Sequence, residues 1–205
     1  MSRYHVSGSE GQYEKDSGEQ VLANKLGIAA SEEIDGAELV LLEQLYQAVF
    51  EEHFPEGQLN VALLKSWHRR WLGNIYEWAG QERAVNISKG GFMFAPSAQL
   101  PKLLNEFDSK YLAQYTPCSG MEEEQLIAAI AITHVELILI HPFREGNGRL
   151  SRLLADVMAV QGGYKPLDYQ SWEQNKTQYI SAIHAGISMD YKPMKHWVGE
   201  ALRRG

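Results

Sequence analysis

The sequence contains a single cysteine, Cys118, which excludes an internal disulfide. It has no apolar run near the ~20 residues that a membrane-spanning helix needs. Basic residues are also outnumbered, because 19 Lys and Arg stand against 26 Asp and Glu and give a formal net charge of −7. Nucleic acids and acidic membrane surfaces bind basic faces, so we expect neither general nucleic-acid binding nor membrane binding.

Internal repeats and strand-rich stretches are missing as well, which argues against a solenoid and against a large sheet. With 205 residues, 44% of them apolar, the chain can bury the core of one domain. Residues 1–18 are polar and rich in Gly and Ser, unlike a secretory leader. We expect a flexible segment over residues 1–20 and a single domain over residues 21–205. We also expect a cytoplasmic location, or delivery into another cell if the chain is a fragment of a secreted effector.

Helical spacing of apolar residues covers most of the remaining sequence. The helix predicted over residues 126–140 is apolar on most sides, as expected for the centre of a core. The fold class that follows is all-α, a helical bundle that carries one small β-hairpin. The predicted helices cover residues 34–54, 60–80, 101–115, 126–140, 150–162, 171–183 and 192–204.

The segment over residues 81–94 has a different pattern. Val85, Ile87 and the aromatic run at 92–94 surround a Gly-Gly pair at 90–91, which indicates two short strands joined by a glycine turn. Nothing beside this hairpin is expected to complete a sheet, so its edge could hold an extended peptide as an added strand. A purely structural connector is the alternative interpretation.

The segment from His141 to Arg152 reads His-Pro-Phe-Arg-Glu-Gly-Asn-Gly-Arg-Leu-Ser-Arg and lies between two apolar helical patterns. Pro142 ends the first helix, and Gly146 and Gly148 free the backbone for tight turns and for close approach of a ligand. The helix that follows directs its unpaired N–H groups and positive dipole end at this loop. The loop is therefore a candidate phosphate site, although Gly-Asn-Gly is also common in simple turns.

The charged residues of this segment favour the phosphate interpretation. Arg149 and Arg152 lie three residues apart at the start of the helix, where the dipole disfavours cations, so a bound anion would offset them. Glu145 offers a carboxylate for Mg²⁺, which takes one or two carboxylates plus phosphate oxygens. His141 offers a base that titrates near neutral pH. Together these groups indicate phosphoryl or nucleotidyl transfer.

Two other sites are conceivable from the residue types. Cys118 and His141 could form a papain-like pair, but Cys118 lies in a Pro/Ser/Gly loop without an oxyanion device nearby. A zinc site of His134, His141 and Glu145 would lack the one-turn His pair of metallohydrolases, and His134 is better explained as a core histidine.

The pattern His141-Pro-Phe-x-Glu145-Gly146-Asn147-Gly148-Arg149-x-x-Arg152 resembles the signature of the Fic (filamentation induced by cAMP), or Fido, family at every defining position. The resemblance implies the Fic/Fido helical bundle with a small hairpin flap. It extends over most of the chain, because four further segments are similar to that family: Leu22–Ile28, His68–Gly80, Asn86–Ala95 and Trp172–Ile183.

The resemblance implies a protein adenylyltransferase, an enzyme that transfers AMP from ATP to a Ser, Thr or Tyr hydroxyl of a target protein. His141 would be the catalytic base, Glu145 the Mg²⁺ ligand and Phe143 the apolar anchor of the loop. Guanidinium groups bind phosphate oxygens in a bidentate manner, which suits Arg152 on the outer phosphates. The predicted phosphate contacts are Gly146, Asn147, Gly148, Arg149 and Arg152.

Two further regions receive roles from the resemblance. The flap, Ile87 to Phe94, would hold the target as an extended strand, with the backbone of Lys89 and Gly90 close to the nucleotide. Ile180 and Ile183 lie one helical turn apart and would contact the adenine base, although such a stripe is otherwise simply core.

The same resemblance bears on how the protein is regulated. Many Fic proteins carry an inhibitory helix that reads Ser/Thr-x-x-x-Glu-Gly/Asn, whose glutamate pairs with the arginine matching Arg152. Ser7-x-x-Glu10-Gly11 is one residue short of that spacing, and the last residues offer no candidate glutamate. We therefore expect control by a separate small antitoxin protein, or by a missing part of a longer chain.

Three alternative functions remain open. The same motif would serve transfer of UMP or phosphocholine. A Doc-like kinase shares the fold, but its loop has Lys where this one has Gly148. A non-catalytic peptide-binding module would use the flap alone.

Overall fold

Helices make up most of the computed structural model, which describes residues 11–205 and the backbone of residues 5–7. The strands are β1 (His5–Ser7), β2 (Asn86–Lys89) and β3 (Phe92–Met93). Short π-helical turns follow α1 at Ala48–Glu52 and join α3 to α4 at Phe107–Leu112. The predicted helical fold with a small hairpin is confirmed. The helices are α1 (Ser31–Gln47), α2 (Val61–Leu72), α3 (Leu100–Glu106), α4 (Ala113–Tyr115), α5 (Glu123–Ile140), α6 (Asn147–Gln161), α7 (Gln170–Gln174), α8 (Lys176–Ala185) and α9 (Lys192–Arg204).

The chain divides into two compact units. The first comprises Met1–Phe54, Ala62–Lys102 and His141–Gly146, and the second comprises Pro55–Val61, Leu103–Ile140 and Asn147–Gly205. No helix within the described residues is long and apolar enough to cross a membrane. The flexible segment predicted over residues 1–20 includes residues 1–4 and 8–10, which lie outside the described residues, so it stays a prediction.

Helix α2 contributes two large aromatic side chains to the core of the first unit. Trp67 and Trp71 lie four residues apart on this helix and are both buried. Trp71 donates its indole Nε1–H to the backbone carbonyl of Glu38 on α1, at 2.8 Å. The carboxylate of Glu38 is buried as well and accepts a 2.7 Å hydrogen bond from the hydroxyl of Tyr76. This polar group therefore has a partner in the core, as a buried carboxylate requires.

The helix α2 ends at Leu72, earlier than the predicted end near Gly80. The N–H groups of Ile75 and Tyr76 both donate to the carbonyl of Leu72, so the chain turns there. Gly73 follows the last helical residue, and glycine is a poor helix former. The apolar spacing misled the prediction because Ile75 and Tyr76 are buried even though they lie outside the helix.

The sheet has three antiparallel strands in the order β1-β2-β3. Strands β2 and β3 pair Lys89 with Phe92 around a two-residue turn, Gly90-Gly91. Both glycines have positive φ, +57° and +81°, as a type I′ hairpin turn requires. The other edge of β2 pairs with β1, where Val6 lies opposite Ile87. The expectation that nothing beside the hairpin completes a sheet was therefore wrong.

The second unit is organised around α5, which packs against α6 and α9. This helix is buried on most sides, as predicted, and Ile130 is fully buried. Two glycines permit close packing against it, because a Cβ at Gly186 would collide with Val135 and a Cβ at Gly162 would collide with Leu126.

Cys118 is buried within the second unit, and burial raises the pKa of its thiol to about 12. Its backbone N–H donates to Oε1 of Gln161 at 3.1 Å. The amide Nε2 of Gln161 in turn donates to the carbonyls of Pro55 and Gly57. Because the thiolate is the reactive form of cysteine, a buried thiol with a raised pKa does not favour the papain-like alternative.

His134 is a fully buried histidine of α5, so its interpretation as a core residue is confirmed. Its Nδ1–H donates to the carbonyl of Ser151 at 3.3 Å, which leaves Nε2 to accept the hydroxyl of Tyr179 at 2.8 Å. Burial lowers the pKa of His134 to about 4 and raises the pKa of the Tyr179 hydroxyl. The imidazole is therefore a neutral group of the core.

The depressed pKa of His134 predicts a loss of stability in mild acid. The unfolded chain binds a proton at His134 below the ordinary pKa of 6.5, whereas the folded chain does so only near 4. The contribution of His134 is thus fully present above pH 6.5 and decreases as the pH falls towards 4. Between pH 6.5 and pH 4 the free energy of unfolding should therefore fall by an amount on the order of 3 kcal/mol.

Urea unfolding at a series of pH values between 7.5 and 4.5 measures this loss. His134→Gln keeps a donor and an acceptor but does not titrate, so its unfolding free energy should depend less on pH than that of the wild type. His53→Gln, at a side chain that is 78% exposed, is the control and should keep the wild-type slope. Identical slopes for His134→Gln and the wild type would contradict the assignment.

Candidate functional site

The loop His141–Gly146 begins where α5 ends, at Ile140. His141 has a φ of +51°, a region that residues other than glycine rarely adopt. The next residue is Pro142, and a residue before proline is normally confined to extended conformations. Strain of this kind costs about 1–3 kcal/mol and persists only where the surroundings hold it. The predicted base therefore occupies a strained position.

The imidazole of His141 is 4% exposed and stacks on the ring of Phe94. The two ring centroids lie 3.7 Å apart and the planes make an angle of 20°. Phe94 is the last residue of the flap, Ile87 to Phe94, and belongs to a small apolar cluster with Val85, Ile87 and Phe92. The structure thus brings the predicted base and the predicted flap into contact within the first unit.

Arg83 holds the backbone of the same loop. Its Nε donates to the carbonyl of His141 at 2.7 Å, and its backbone N–H donates to the carbonyl of Pro142 at 2.9 Å. The terminal nitrogens Nη1 and Nη2 donate to the carbonyls of Val85 and Ala95. The side chain is 2% exposed, and these carbonyl dipoles satisfy its hydrogen-bonding groups.

Phe143 and Glu145 are held by a second buried histidine. The ring of His68 stacks on Phe143, with 4.0 Å between centroids and 11° between planes. Its Nδ1 accepts a 2.8 Å hydrogen bond from the N–H of Gly80, so the proton resides on Nε2, which donates to the carbonyl of Glu145 at 3.0 Å. One neutral tautomer therefore satisfies both bonds and positions the loop.

Glu145 is 8% exposed, and Oε1 of its carboxylate accepts a 3.0 Å hydrogen bond from the N–H of Gly146. Among the described residues, no group of three His, Cys, Asp or Glu side chains is arranged as a metal site. The zinc alternative, which needs three or four protein ligands, gains no support from this. A single carboxylate does fit Mg²⁺, because that ion takes most of its ligands from phosphates and water.

Gly146 is a position that only glycine fits. Its φ is +82°, and a Cβ built on it would lie 2.8 Å from Cζ3 of Trp71 and 3.3 Å from Cδ1 of Leu72. The backbone of the loop therefore lies directly on the indole ring. This close contact fixes the height of the loop above the core of the first unit.

The second half of the motif opens α6, a helix of 15 residues. Its first turn carries N–H groups without helical partners and the positive end of the helix dipole. Asn147 is buried, Gly148 is exposed and Arg149 is half-buried. The hydroxyl of Ser151 donates to the carbonyl of Gly148 at 2.9 Å and ties the first turn together.

Arg152 is oriented by three residues of the second unit. Its Nη1 forms an ion pair of 3.0 Å with Glu173, and its guanidinium carbon lies 4.7 Å from the ring centroid of Tyr169. The hydroxyl of Tyr169 donates to the carboxylate of Asp156 at 2.8 Å, which fixes that ring. The sequence led us to expect an anion near this arginine, and in the structure a carboxylate of the same chain pairs with it.

The remaining predicted site residues are Lys89, Gly90, Ile180 and Ile183, and they differ in exposure. Lys89 is exposed at the end of β2, and Gly90 is exposed in the hairpin turn. On α8, Ile180 is 39% exposed, whereas Ile183 is 6% exposed and belongs mainly to the core. Of this pair, Ile180 is the one that is open to a ligand.

Sequence reasoning missed four residues that hold the motif: His68, Arg83, Tyr169 and Glu173. A signal existed for His68, because it interrupts the apolar face of α2 between Trp67 and Trp71. No local pattern marks Arg83, since its partners at 141 and 142 lie 58 and more residues away along the chain.

Comparison with known proteins gives matches that agree with this geometry. Residues 58–159 match the Fic/DOC family. A protein of Sinorhizobium fredii named probable protein adenylyltransferase y4lH is 27% identical over 177 residues, which are 86% of this chain and 88% of that protein. Protein adenylyltransferase VbhT of Bartonella schoenbuchensis is 30% identical over 125 residues, 61% of this chain, and the match spans only 25% of VbhT.

A solved structure agrees with the fold. The N-terminal Fic domain of a VirB-translocated effector protein from Bartonella quintana, crystallised with ADP, aligns with a TM-score of 0.73. The alignment covers 92% of each chain at 22% identity. At this identity the likeness shows a shared fold.

The contact between Gly146 and Trp71 yields a prediction about stability. Gly146→Ala introduces a Cβ that overlaps the indole at a positive φ, so we expect a loss of about 2–4 kcal/mol in unfolding free energy. Gly148→Ala is the matched control, because a Cβ there meets nothing within 4 Å among the described residues. Urea unfolding of both variants measures the difference, and equal losses would contradict the assigned role of Trp71.

Proposed function

The chain belongs to the Fic/DOC family, and from that premise we propose that it is a protein adenylyltransferase. It transfers AMP from ATP to a Ser, Thr or Tyr hydroxyl of a target protein. The match to y4lH over most of both chains supports this activity. We further propose that residues 21–205 form one Fic domain, and that the protein acts in the cytoplasm or in a cell into which it is delivered.

The observation that carries the proposal is the conformation of His141. A strained, pre-proline histidine at a φ of +51° is held by a ring stack and by a buried arginine. Strained residues of this kind cluster at active sites, where the surrounding structure pre-organises a reactive group. The same histidine begins the twelve-residue motif that carries the predicted phosphate contacts and the predicted Mg²⁺ ligand.

His141 acts as the general base in this mechanism. A ring nitrogen accepts the proton of the target hydroxyl while that oxygen attacks the α phosphate of ATP. The new bond joins the target oxygen to the α phosphorus, the bond from this phosphorus to the bridging oxygen breaks, and pyrophosphate leaves with the electron pair. Positioning and charge stabilisation supply most of the acceleration in such phosphate chemistry.

The phosphates of ATP are assigned to the loop Gly146-Asn147-Gly148 and to the two arginines of α6. Arg152 holds the outer phosphates, with Arg149 in support. Glu145 would hold Mg²⁺, which would neutralise phosphate charge when bound. Lys89 and Gly90 contribute backbone next to the nucleotide. Of the two isoleucines assigned to adenine, Ile180 offers the exposed apolar surface and Ile183 supports it from the core.

The target protein is assigned to the flap, where it is added as an extended strand. The strand order β1-β2-β3 makes β3 an edge strand of the sheet, so a further strand can be added beside it. Met93 of β3 is 66% exposed and available for contact with a bound segment. Main-chain hydrogen bonds to such an edge give affinity without strict sequence requirements.

Replacement of His141 tests the mechanism directly. His141→Ala should lower the rate of AMP transfer about 100- to 10,000-fold, the usual contribution of a general base. The measurement is labelling of bacterial lysate proteins with ATP that carries radioactive phosphorus at the α position, followed by mass spectrometry of the labelled band.

Two controls accompany this experiment. His53→Ala, at an exposed histidine outside the motif, should label as the wild type does. His141→Asn keeps the fold easily, because asparagine tolerates positive φ, and should be as inactive as His141→Ala. Labelling that persists in both His141 variants would remove this residue from its assigned role.

The ion pair between Arg152 and Glu173 gives a second prediction. The Glu173 side chain is 65% exposed, so the pair is worth at most about 1 kcal/mol. Glu173→Gln releases the guanidinium, and ATP should then bind up to about fivefold more tightly. Binding of AMP should not change, because AMP lacks the outer phosphates.

Isothermal titration calorimetry with ATP and AMP measures both affinities. Glu123→Gln is the matched control, since Glu123 forms a comparable exposed pair of 3.1 Å with Arg203. An unchanged affinity for ATP, or an equal gain for AMP, would show that Glu173 does not compete with the outer phosphates.

Control by a separate small antitoxin protein is the proposed form of regulation. A rival exists within the chain, because α1 begins Ser31-Glu-Glu-Ile-Asp35-Gly36. This segment keeps the spacing of the inhibitory pattern, with aspartate in the place of glutamate. Activity of the purified chain alone separates the two: an active chain favours a separate partner, and an inactive chain favours internal restraint.

The nature of the transferred group is decided by the mass of the product. Adenylate is favoured by the names of the matching relatives. Uridylate, phosphocholine or phosphate would each give a different added mass on the target. Absence of any added mass together with retained peptide binding would favour a non-catalytic module.

A further inference from the structure

Arg83 is a buried arginine whose three side-chain nitrogens all donate to backbone carbonyls. Nε reaches His141 at 2.7 Å, Nη1 reaches Val85 at 2.7 Å and Nη2 reaches Ala95 at 2.5 Å. Burying a guanidinium is costly unless its N–H groups are hydrogen-bonded, and here backbone carbonyls accept from all three side-chain nitrogens. The planar fork of arginine offers donors in fixed directions, which lysine cannot reproduce.

The three carbonyls belong to the two segments that the proposed reaction must bring together, the flap and the loop that carries the base. Val85 precedes the flap and Ala95 follows it, so Arg83 closes both ends of the hairpin. His141 is the proposed base, and Pro142 is bonded by the backbone N–H of the same arginine. Arg83 therefore contacts both the flap, which is proposed to hold the target strand, and the loop that carries the proposed base.

The contact between Phe94 and His141 completes this connection. Phe94 is the flap residue whose ring stacks on the imidazole at 3.7 Å. It is also the residue whose N–H donates to the carbonyl of Ile87 at 3.2 Å across the hairpin. A shift of the hairpin relative to the backbone of His141 would therefore disturb the stacking of Phe94 on the imidazole.

The strained backbone gives this linkage its importance. A positive φ before proline relaxes unless neighbouring groups fix it, and the carbonyl of His141 is the atom through which Arg83 acts. Loss of that hydrogen bond would let the loop adopt an ordinary conformation. The imidazole would then leave its place relative to the flap, while the phosphate contacts on α6 would keep their own supports.

We propose that Arg83 is a positioning residue that couples the flap to His141, so that a target strand and the base are held in one fixed geometry. This rests on the proposed function, because the coupling matters for a base that must meet a docked hydroxyl. Arg83 itself touches neither proton nor phosphate in this assignment. It acts through the carbonyl of His141 and the two ends of the flap.

Arg83→Lys is the test variant, since it keeps the charge and removes the fork. The kcat of AMP transfer should fall about 10- to 100-fold, because displacement of a catalytic group by about 1 Å has an effect of this size. The KM for ATP should stay within twofold of the wild type. A general loss of folded protein would instead lower apparent activity in proportion to the unfolded fraction.

Two matched variants separate positioning from stability. Tyr76→Phe removes one buried hydrogen bond in the same unit, to Glu38, and measures the effect of destabilisation alone. Arg70→Lys makes the same chemical change at an exposed position of α2. Both should keep the wild-type kcat under conditions where thermal unfolding shows that the proteins are folded.

Nuclear magnetic resonance of ¹⁵N-labelled histidine gives a readout that needs no activity. The signal of His141, assigned by its absence from His141→Asn, should shift or broaden in Arg83→Lys and stay in place in Tyr76→Phe. If Arg83→Lys does not fold, Arg83→Gln, which has two donors and no charge, replaces it in the same measurements.

The outcomes are distinct. A moved His141 signal with a reduced kcat and an unchanged KM supports the proposal. An unmoved signal, or a kcat equal to that of Tyr76→Phe, overturns it. A moved signal in a protein whose wild type transfers no AMP upholds the coupling and refutes the proposed function.

Discussion

The backbone of His141 is the constraint on which the arrangement of the first unit depends. A positive φ directly before proline is unfavourable by itself, and two contacts hold it: the guanidinium of Arg83 on the carbonyl and the ring of Phe94 on the imidazole. Farther along the loop, His68 grips Phe143 and Glu145 in one tautomer. The loop is therefore fixed at its start, its middle and its end, where Gly146 rests on Trp71.

The second unit carries two arginines near the N-terminus of α6. Arg149 lies in the first turn, where the helix dipole disfavours a cation, whereas Arg152 lies in the second turn. Arg152 is stabilised by the face of Tyr169 and by the carboxylate of Glu173. Asp156 fixes Tyr169, so the guanidinium is oriented while its exposed ion pair stays weak enough to exchange for another anion.

Local sequence patterns predicted the structural features that depend on residues close together in the sequence. The apolar period gave most helices, the Gly-Gly pair gave the hairpin turn, and the motif gave a loop that leads into a helix N-terminus. Contacts between distant segments had no such signal. Val6 pairs with Ile87, and Arg83 donates to the carbonyl of His141, although the partners lie far apart in the sequence. The early end of α2 was not predicted, because Ile75 and Tyr76 are buried even though they lie outside the helix.

Two of the unpredicted residues, His68 and Arg83, share a physical property: each is a buried polar group whose partners are mainly backbone atoms. His68 and Arg83 bond to main-chain N–H and carbonyl groups, which every residue type offers, so no side-chain pairing rule could reveal them. Apolar residues of similar size would fill the same space, and buried polar groups often add little net stability. What they supply is direction, because a hydrogen bond fixes the orientation of a peptide unit and dispersion contacts do not. A loop that must keep an unfavourable conformation needs such direction more than it needs additional burial.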